Sequence, residues 1–289
     1  MKRVVILVHE HQPPGWRKAY LFDALRESWT ALGVGVSYAR GIRERPEADL
    51  LIPHVDLTRT PEEYLEFIGA YPRVLNRQVV DIAKRTTSQN LLDEGSDYEG
   101  PVIVKTNNNS GGAPERWTAA HRYPLVSRIG PRVCRLLERV RGPDLAKARA
   151  LGRYPVFASL SELPPGVFHN RALVVERFLP EREGQWYFLR HYLFLGTHTR
   201  HVRVAGKGPF LKRAECVPVE DNLPVPEDLL ELRRRLGFDY GKFDYTVHDG
   251  RVVVLDLNRT PANPGTAAAT AVTVGALSDG IHAFLAGSQ

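Results

Sequence analysis

Apolar runs alternate with amphipathic segments along the first quarter of the chain. Short runs of apolar, mostly β-branched residues predict strands at Val4–Val8, Val34–Tyr38 and Ala48–Val55. Trp16–Leu32 carries apolar residues at helical spacing, and Thr60–Ala70 opens with the Thr-Pro-Glu-Glu sequence of a helix N-terminus. This order of elements predicts a small α/β layered domain over residues 1–75.

The remaining chain mixes helical and strand patterns. Helices are expected over residues 76–99, at Val133–Arg141, at Pro226–Leu236 and from Thr266 onward. Strands are expected at Val102–Val104, Val156–Leu160, Ala172–Val175, Trp186–Leu195, His201–Ala205, Phe243–Val247 and Arg251–Leu257. The last two strands are joined by Asp249-Gly250, a turn sequence that favours a hairpin, and Gly196 closes a second predicted hairpin.

Composition narrows the class of protein. The chain has 289 residues, of which 43% are hydrophobic and 25% charged, so we expect a sizeable core rather than disorder. Its two cysteines form no CxxC pattern, its N-terminus lacks a secretory signal, and no stretch approaches the length of about 20 apolar residues that spans a membrane. These features predict a cytoplasmic protein without a structural zinc site and without a membrane partner.

Positive charge exceeds negative charge, since 39 lysines and arginines face 33 acids, and only 8 of the 39 are lysine. Such an excess favours an anionic partner, which leaves nucleic acid, a membrane surface and a phosphorylated small molecule open. Nucleic acid is disfavoured because Arg132–Arg141 carries arginines without interleaved aromatic residues.

Oxygen-bearing side chains interrupt the apolar strands of the C-terminal hairpin. Asp256 and Asn258 share a face of one strand, and Asp244 is expected near Asp256 on the partner strand. A carboxylate inside so apolar a run is costly unless it is paired or binds a cation. With Lys242 nearby, these side chains form a candidate Mg²⁺ site, although solvated positions on an exposed face would give the same pattern.

A lysine ends the strand predicted at Val102–Val104, and a polar loop with two glycines follows it. Lys105 supplies a point charge for a phosphate, and Gly111 and Gly112 after Ser110 allow backbone N–H groups to approach closely. The loop lacks the Gly-Lys-Ser/Thr ending of a Walker loop, so by itself it is weak support for phosphate binding.

A charged and aromatic segment follows the strand predicted at Ala172–Val175. The backbone of this segment can read an adenine edge through Glu176, Arg177, Phe178 and Leu179. Glu183 is placed to accept hydrogen bonds from ribose hydroxyls. An ordinary connection between domains would have the same composition.

In this order the segments resemble the ATP-grasp superfamily over about residues 76–265. The N-terminal unit resembles the domain that precedes this fold in ligases of the D-alanine–D-alanine ligase and glutathione synthetase type. The resemblance implies an α/β (α+β) protein in which a pre-ATP-grasp domain, residues 1–75, comes first. A central subdomain, residues 76–180, and a C-terminal subdomain, residues 181–289, would then form the ATP-grasp fold.

The resemblance also implies roles for individual residues. The ATP phosphates would be held by Lys84, Lys105, Ser110, Gly111 and Gly112. The adenine and ribose would contact Glu176, Arg177, Phe178, Leu179 and Glu183. The metal ligands would be Asp244, Asp256 and Asn258, with Asp256 standing where the superfamily commonly has glutamate. The groups facing the transferred phosphate and the substrate would be Lys242, Arg190 and Arg203. Because ligands of α/β layers lie beyond the carboxyl ends of strands, acceptor contacts are expected from His9, Gln12 and Arg17.

The activity implied is that of an ADP-forming ligase. ATP and two Mg²⁺ ions, with Mn²⁺ as a substitute, would convert a small-molecule carboxylate to an acyl phosphate that an amine or related nucleophile then attacks. Two alternatives stay open: a kinase of the same fold that phosphorylates a hydroxyl, and a non-catalytic regulator that binds nucleotide. A homodimer also stays open.

Overall fold

The structure is a computed structural model that describes residues 1–13, 15–122, 154–211 and 216–286. Its described strands form three sheets, which fall within residues 1–75, 76–180 and 181–289 respectively. The helix predicted at Val133–Arg141 lies outside the described residues.

The N-terminal sheet is parallel, with the order β2-β1-β3. Its strands are β1 (Arg3–Val8), β2 (Gly35–Arg40) and β3 (Leu50–His54). Even-numbered residues of β1 pack with helix α1 (Leu21–Ala31), and odd-numbered ones pack with helix α2 (Glu62–Gly69). Burial on both faces explains the unbroken apolar run of β1 and confirms the predicted α/β layers.

The central sheet is antiparallel, with the order β4-β7-β5-β6. Its strands are β4 (Leu91–Leu92), β5 (Val102–Thr106), β6 (Val156–Phe157) and β7 (Leu173–Arg177). Val102, Val104 and Val175 face a small apolar core. Because side chains alternate along a strand, Lys105 and Glu176 face the opposite way.

Residues 76–99, predicted as helical, are mostly irregular. In this range the structure has one helical turn, α3 (Lys84–Thr87), and the two residues of β4. Asn76 has a positive φ of 55°, and its side-chain amide bonds to the backbone of Asp239 and Tyr240. Contacts with residues far along the chain therefore override the local helical pattern.

The C-terminal sheet is antiparallel, with the order β11-β10-β9-β12-β13 and with β8 paired to β9. Its strands are β8 (Glu181–Glu183), β9 (Trp186–Leu195), β10 (His198–Gly206), β11 (Val217–Asp221), β12 (Tyr240–His248) and β13 (Arg251–Asn258). Both predicted hairpins are confirmed. Tyr192, Phe194, Phe243 and Tyr245 pack on one face against helix α5 (Glu227–Leu236).

Further helices are α4 (Ala113–Arg122), which follows β5, and α6 (Ala267–Leu277) and α7 (His282–Leu285), which follow β13. Short 3₁₀ turns lie at Trp16–Ala19, Asn109–Gly112, Leu160–Glu162 and Ser278–Ile281.

One apolar stretch among the described residues, Ala267–Leu285, is long and apolar enough to cross a membrane by length and composition alone. Core helices meet the same criterion, and Leu277, Ile281 and Leu285 pack into the core beside the N-terminal sheet. The stretch is therefore weak support for a membrane span.

Candidate functional site

An apolar cavity of about 270 Å³ lies between the central and C-terminal sheets. Its walls include Leu255 of β13 and the rings of Phe178 and Phe210, whose centroids are 6.1 Å apart at an interplanar angle of 27°. The Thr246 hydroxyl fixes one wall by donating a hydrogen bond of 3.0 Å to the carbonyl oxygen of Leu179. A narrow apolar space of this kind suits a planar aromatic ligand.

Lys105 projects into the polar end of this cavity from β5. Its Nζ lies 2.7 Å from Oε2 of Glu176 and 3.4 Å from the carbonyl oxygen of Leu255. The side chains of Lys105 and Glu176 are only 8% and 2% exposed, so each ion depends on the other. The side chain of Glu176 thus balances Lys105, while Arg177, Phe178 and Leu179 line the cavity.

Lys84 approaches the same cleft from the turn of helix α3. Its Nζ lies 3.1 Å from Oδ1 of Asp256 and donates to Oδ1 of Asn109 at 3.3 Å. Burial of Lys84 opposes its charge, but Asp256, together with Tyr154 and Glu176, outweighs burial and raises the lysine pKa. Lys84 is therefore a cation held on a carboxylate that faces the cleft.

Asp244 and Asp256 lie directly opposite each other on β12 and β13, which confirms their predicted proximity. His191 Nδ1 donates to Oδ1 of Asp244 at 2.6 Å, and Lys242 Nζ lies 2.8 Å from Oδ2. Burial disfavours the charge of Asp244, but Lys242 and His191 outweigh it and hold the pKa of this carboxyl well below its usual range. The cleft thus presents two carboxyl side chains directly opposite each other.

The donor set can be tested against a divalent cation. No group of three or more His, Cys, Asp or Glu side chains suited to a metal occurs in the part of the chain that the structure describes. Asn258 follows Asp256 on the same strand face, and its Oδ1 accepts from the backbone N–H of Thr260 at 2.8 Å. Mg²⁺ is usually held by one or two carboxylates together with water and substrate phosphates. The residues therefore fit a cation that binds together with a phosphate ligand.

The loop after β5 has an unusual backbone. Ser110, Gly111 and Gly112 have positive φ values of 49°, 64° and 71°, a region that glycine adopts without strain but that is uncommon for a serine. Asn109 anchors the loop, because its side-chain amide donates to the carbonyl oxygen of Leu257 at 3.0 Å. The loop therefore stays close to β13 and its acidic residues.

Arg190 and Arg203 lie on the opposite face of the C-terminal sheet from Asp244, because side chains alternate along β9 and β12. Each arginine contacts Oε1 of Glu181 at 2.9 Å, and Arg203 also pairs with Glu183. The structure thus does not bring these residues to the cleft, and their predicted roles beside phosphate, substrate and ribose do not match this placement.

Two of the three predicted N-terminal residues line a second cavity, of about 360 Å³, at the carboxyl edge of the N-terminal sheet. His9 and Gln12 line it, as does Ser110 of the loop after β5. Arg17 lies elsewhere, with its guanidinium carbon 4.3 Å from the centroid of the Tyr38 ring in a separate depression. The predicted substrate set is therefore only partly brought together.

Three residues that contact the site carry no local sequence signal. His191 bonds to Asp244, Asn109 bonds to Lys84, and Asp56 accepts from the hydroxyl of Thr260 at 2.7 Å. Each contact joins residues at least 25 positions apart in sequence, so local sequence patterns do not reveal it.

No protein-family model and no curated protein sequence matches the chain. Among solved structures, it is similar to the VanG D-Ala:D-Ser ligase from Enterococcus faecalis, with a TM-score of 0.50 over 98% of both chains and 8% identity. The RimK domain ATP-grasp protein from Sphaerobacter thermophilus has a TM-score of 0.49 at 12% identity, with 99% of this chain and 100% of that chain covered. A D-alanine–D-alanine ligase from Bacillus anthracis has a TM-score of 0.47 at 14% identity, over 99% and 97% of the two chains.

At these identities the likeness concerns the fold alone. The match to the VanG ligase spans nearly the full length of both chains, so it includes the N-terminal sheet as well as the two sheets that form the cleft. The chain therefore has the ATP-grasp fold, preceded by a small α/β domain.

Proposed function

We propose that the chain is an ATP-dependent, ADP-forming ligase that activates a small-molecule carboxylate as an acyl phosphate and joins it to an amine. The observation that carries this proposal is the meeting of two buried lysines, Lys84 and Lys105, with the Asp244–Asp256 pair at a cleft that opens into a flat apolar cavity.

The nucleotide is expected to bind between the two sheets. The adenine ring suits the space between Phe178, Phe210 and Leu255, which would cover it with apolar surface. The phosphates would then extend toward Lys84 and Lys105, whose ammonium groups supply opposite charge. The backbone N–H groups of residues 110–112 would add donors at the same end.

Charge balance in the cleft supports this assignment. Every cleft lysine is paired with a carboxylate, and the pairs are Lys84 with Asp256, Lys105 with Glu176, and Lys242 with Asp244. A polyphosphate that arrives with a divalent cation brings partners for both members of such pairs. Lysines can then bind phosphate while aspartates bind the cation, so that no charge is left buried alone.

Asp244, Asp256 and Asn258 would hold Mg²⁺, or Mn²⁺ in its place, which when bound would neutralise charge on the β- and γ-phosphates. His191 and Lys242 keep Asp244 ionised and oriented. Lys84 and Lys105 would bind and orient the phosphate chain for transfer.

The proposed reaction has two steps. An oxygen of the substrate carboxylate attacks the γ-phosphorus, the bond to the β–γ bridging oxygen breaks, and ADP leaves. The unprotonated amine nitrogen then attacks the acyl carbon, inorganic phosphate leaves with the electron pair of the broken C–O bond, and the proton lost from the nitrogen passes to the departing phosphate. Such transfers depend on positioning and on neutralised charge, and loss of one charged partner typically costs about 10²–10³-fold in rate.

The test is a screen for ADP release with pairs of small carboxylates and amines, with hydroxylamine as a trap. We expect ADP release to require a carboxylate, and hydroxylamine to yield a hydroxamate because it attacks the acyl phosphate. The variant Asp256→Asn, which keeps the side-chain shape, should lower ADP release about 10²–10³-fold.

Three outcomes would contradict the ligase. ADP release with an alcohol alone and no hydroxamate would indicate the hydroxyl kinase. Tight nucleotide binding without any turnover would indicate the non-catalytic regulator. Unchanged turnover in folded Asp256→Asn would remove the proposed metal ligand from the mechanism.

A further inference from the structure

The cavity at the N-terminal sheet has a distinctive wall. It lies between the carboxyl edge of that sheet and helix α4, and rings supply much of its surface, from His9, His11, Tyr20 and Trp117. Asp56 is the single carboxylate among the described residues that line it, and no lysine or arginine is among them. Aromatic faces around one negative charge favour a cation over an anion.

Asp56 is held in place by two hydroxyl groups. Its Oδ1 accepts from the hydroxyl of Thr260 at 2.7 Å, and its Oδ2 accepts from the hydroxyl of Tyr20. Burial first, and then the neighbouring carboxylate, raise the pKa of Tyr20, so that this hydroxyl stays a donor. Both donors are neutral and orient the carboxylate without cancelling its charge, whereas the buried Arg259, which lies outside the described wall, interacts with Asp56 electrostatically.

His9 adds no opposing charge to the wall. The backbone N–H of His11 donates to Nδ1 of His9 at 3.1 Å, so the neutral ring of His9 carries its proton on Nε2. Burial and the nearby His11 lower the pKa of His9, which favours that neutral form near pH 7. Trp117 Nε1 donates to the carbonyl oxygen of His11 at 2.7 Å and thereby fixes the indole at the rim.

The cavity adjoins the proposed site of phosphate transfer. Ser110, at the start of the left-handed loop, lines the cavity. Thr260 bridges the two regions, because its hydroxyl donates to Asp56 and its backbone N–H donates to Asn258. A molecule bound beside Asp56 would therefore lie next to the place where the acyl phosphate forms.

Resting on the proposed ligase function, we propose that this cavity binds the amine substrate. Asp56 binds the ammonium group, and the rings of Trp117 and Tyr20 cover an apolar or aromatic body. An α-amino acid is a poor ligand, because its carboxylate would meet Asp56 with no lysine or arginine in the described wall to offset the repulsion.

The test is calorimetric titration with 2-phenylethylamine, 2-phenylethanol and phenylalanine in the presence of the non-hydrolysable analogue AMP-PNP. We expect the amine to bind at least about tenfold more tightly than either of the others, and Asp56→Asn to remove that preference. The matched control is Asp23→Asn, since Asp23 also accepts from a tyrosine hydroxyl, that of Tyr38 at 3.1 Å, but lies outside the cavity. It should leave the preference unchanged.

A second variant, Trp117→Leu, protects the test against misfolding of Asp56→Asn, and we expect it to weaken amine binding about fivefold or more. Equal binding of the amine and the alcohol, tighter binding of phenylalanine, or an unchanged preference in Asp56→Asn would overturn the inference. These are binding measurements, so any of these three results, obtained while AMP-PNP still binds, would count against the amine site alone. Failure of the wild-type chain to bind AMP-PNP would instead count against the proposed function.

Discussion

Lys105 and Glu176 form the most deeply buried lysine–carboxylate pair of the cleft. We expect Lys105→Met to lower the free energy of unfolding by about 3 kcal/mol, because it leaves the Glu176 carboxylate buried without its cation. The double variant Lys105→Met/Glu176→Gln should regain most of this stability, because it has no buried carboxylate without a cation. Nucleotide affinity should stay reduced about tenfold or more in both variants, because neither has an ammonium group to bind phosphate.

Urea unfolding and calorimetric titration with AMP-PNP measure the two effects separately. If the double variant regained wild-type nucleotide affinity, Lys105 would serve only to balance Glu176, and its assignment to the phosphates would fail.

His54 makes the stability of the N-terminal domain depend on pH. It is fully buried, and neither ring nitrogen has a hydrogen-bond partner among the described residues. Burial first, and then the charge of Arg259, lower its pKa to about 3 from 6.5. As pH falls below 6.5, the unfolded chain binds a proton that the folded chain does not, so the folded state loses stability.

We therefore expect this residue to cost about 2 kcal/mol of stability on going from about pH 7.5 to about pH 5. His54→Phe, which keeps a ring among Trp16, Tyr20 and Phe22, should lose that part of the pH dependence. Urea unfolding of both proteins at the two pH values tests this. An identical pH dependence in the variant would show that His54 titrates normally in the folded protein.

At the scale of secondary-structure elements, the alternation of side chains along β9 separates two kinds of charged residue. His191 faces the cleft beside Asp244, whereas its neighbour Arg190 bonds to Glu181 on the other face. We expect Arg190→Leu to lower the free energy of unfolding by about 1–3 kcal/mol, since Glu181 loses a charged partner, while nucleotide affinity changes little.

The matched variant on the cleft face is Lys242→Met, which should weaken AMP-PNP binding in the presence of Mg²⁺ about tenfold. Binding titrations and urea unfolding of the two variants distinguish the faces. A large loss of nucleotide affinity in Arg190→Leu would contradict this placement and restore the role that the sequence predicted for Arg190.

The same alternation explains which parts of the site were predictable. The hairpin of β12 and β13 was predictable because its turn sequence brings Asp244 near Asp256, but the β-bulge after Asp244 that sets the two directly opposite each other was not. The sequence could not show which side of β9 faces the cleft. That side depends on the register between β9 and β12, a strand about 50 residues later in the chain. The helix predicted over residues 76–99 was wrong for a related reason. The hydrogen bonds of Asn76 to residues far along the chain outweigh its local helical pattern.

At the scale of the whole molecule, each sheet supplies a different part of the site. The central sheet brings Lys105, the C-terminal sheet brings Asp244 and Asp256, and the edge of the N-terminal sheet adjoins the second cavity. Asn109 ties these parts together, because its backbone N–H donates to Thr58 and its side chain bonds to Lys84 and to β13. A ligand that spans the cleft therefore contacts several elements at once and should stabilise the protein as a whole.

The proposal that Asp244 and Asp256 hold Mg²⁺ on a bound nucleotide is tested most directly by one measurement. It is the affinity for AMP-PNP with and without Mg²⁺, in the wild-type chain and in the double variant Asp244→Asn/Asp256→Asn. We expect Mg²⁺ to tighten binding to the wild-type chain about tenfold or more and to have little effect on the variant, which keeps its lysines and its apolar cavity. An equal response to Mg²⁺ in both proteins, or no binding of AMP-PNP to the wild-type chain, would contradict it.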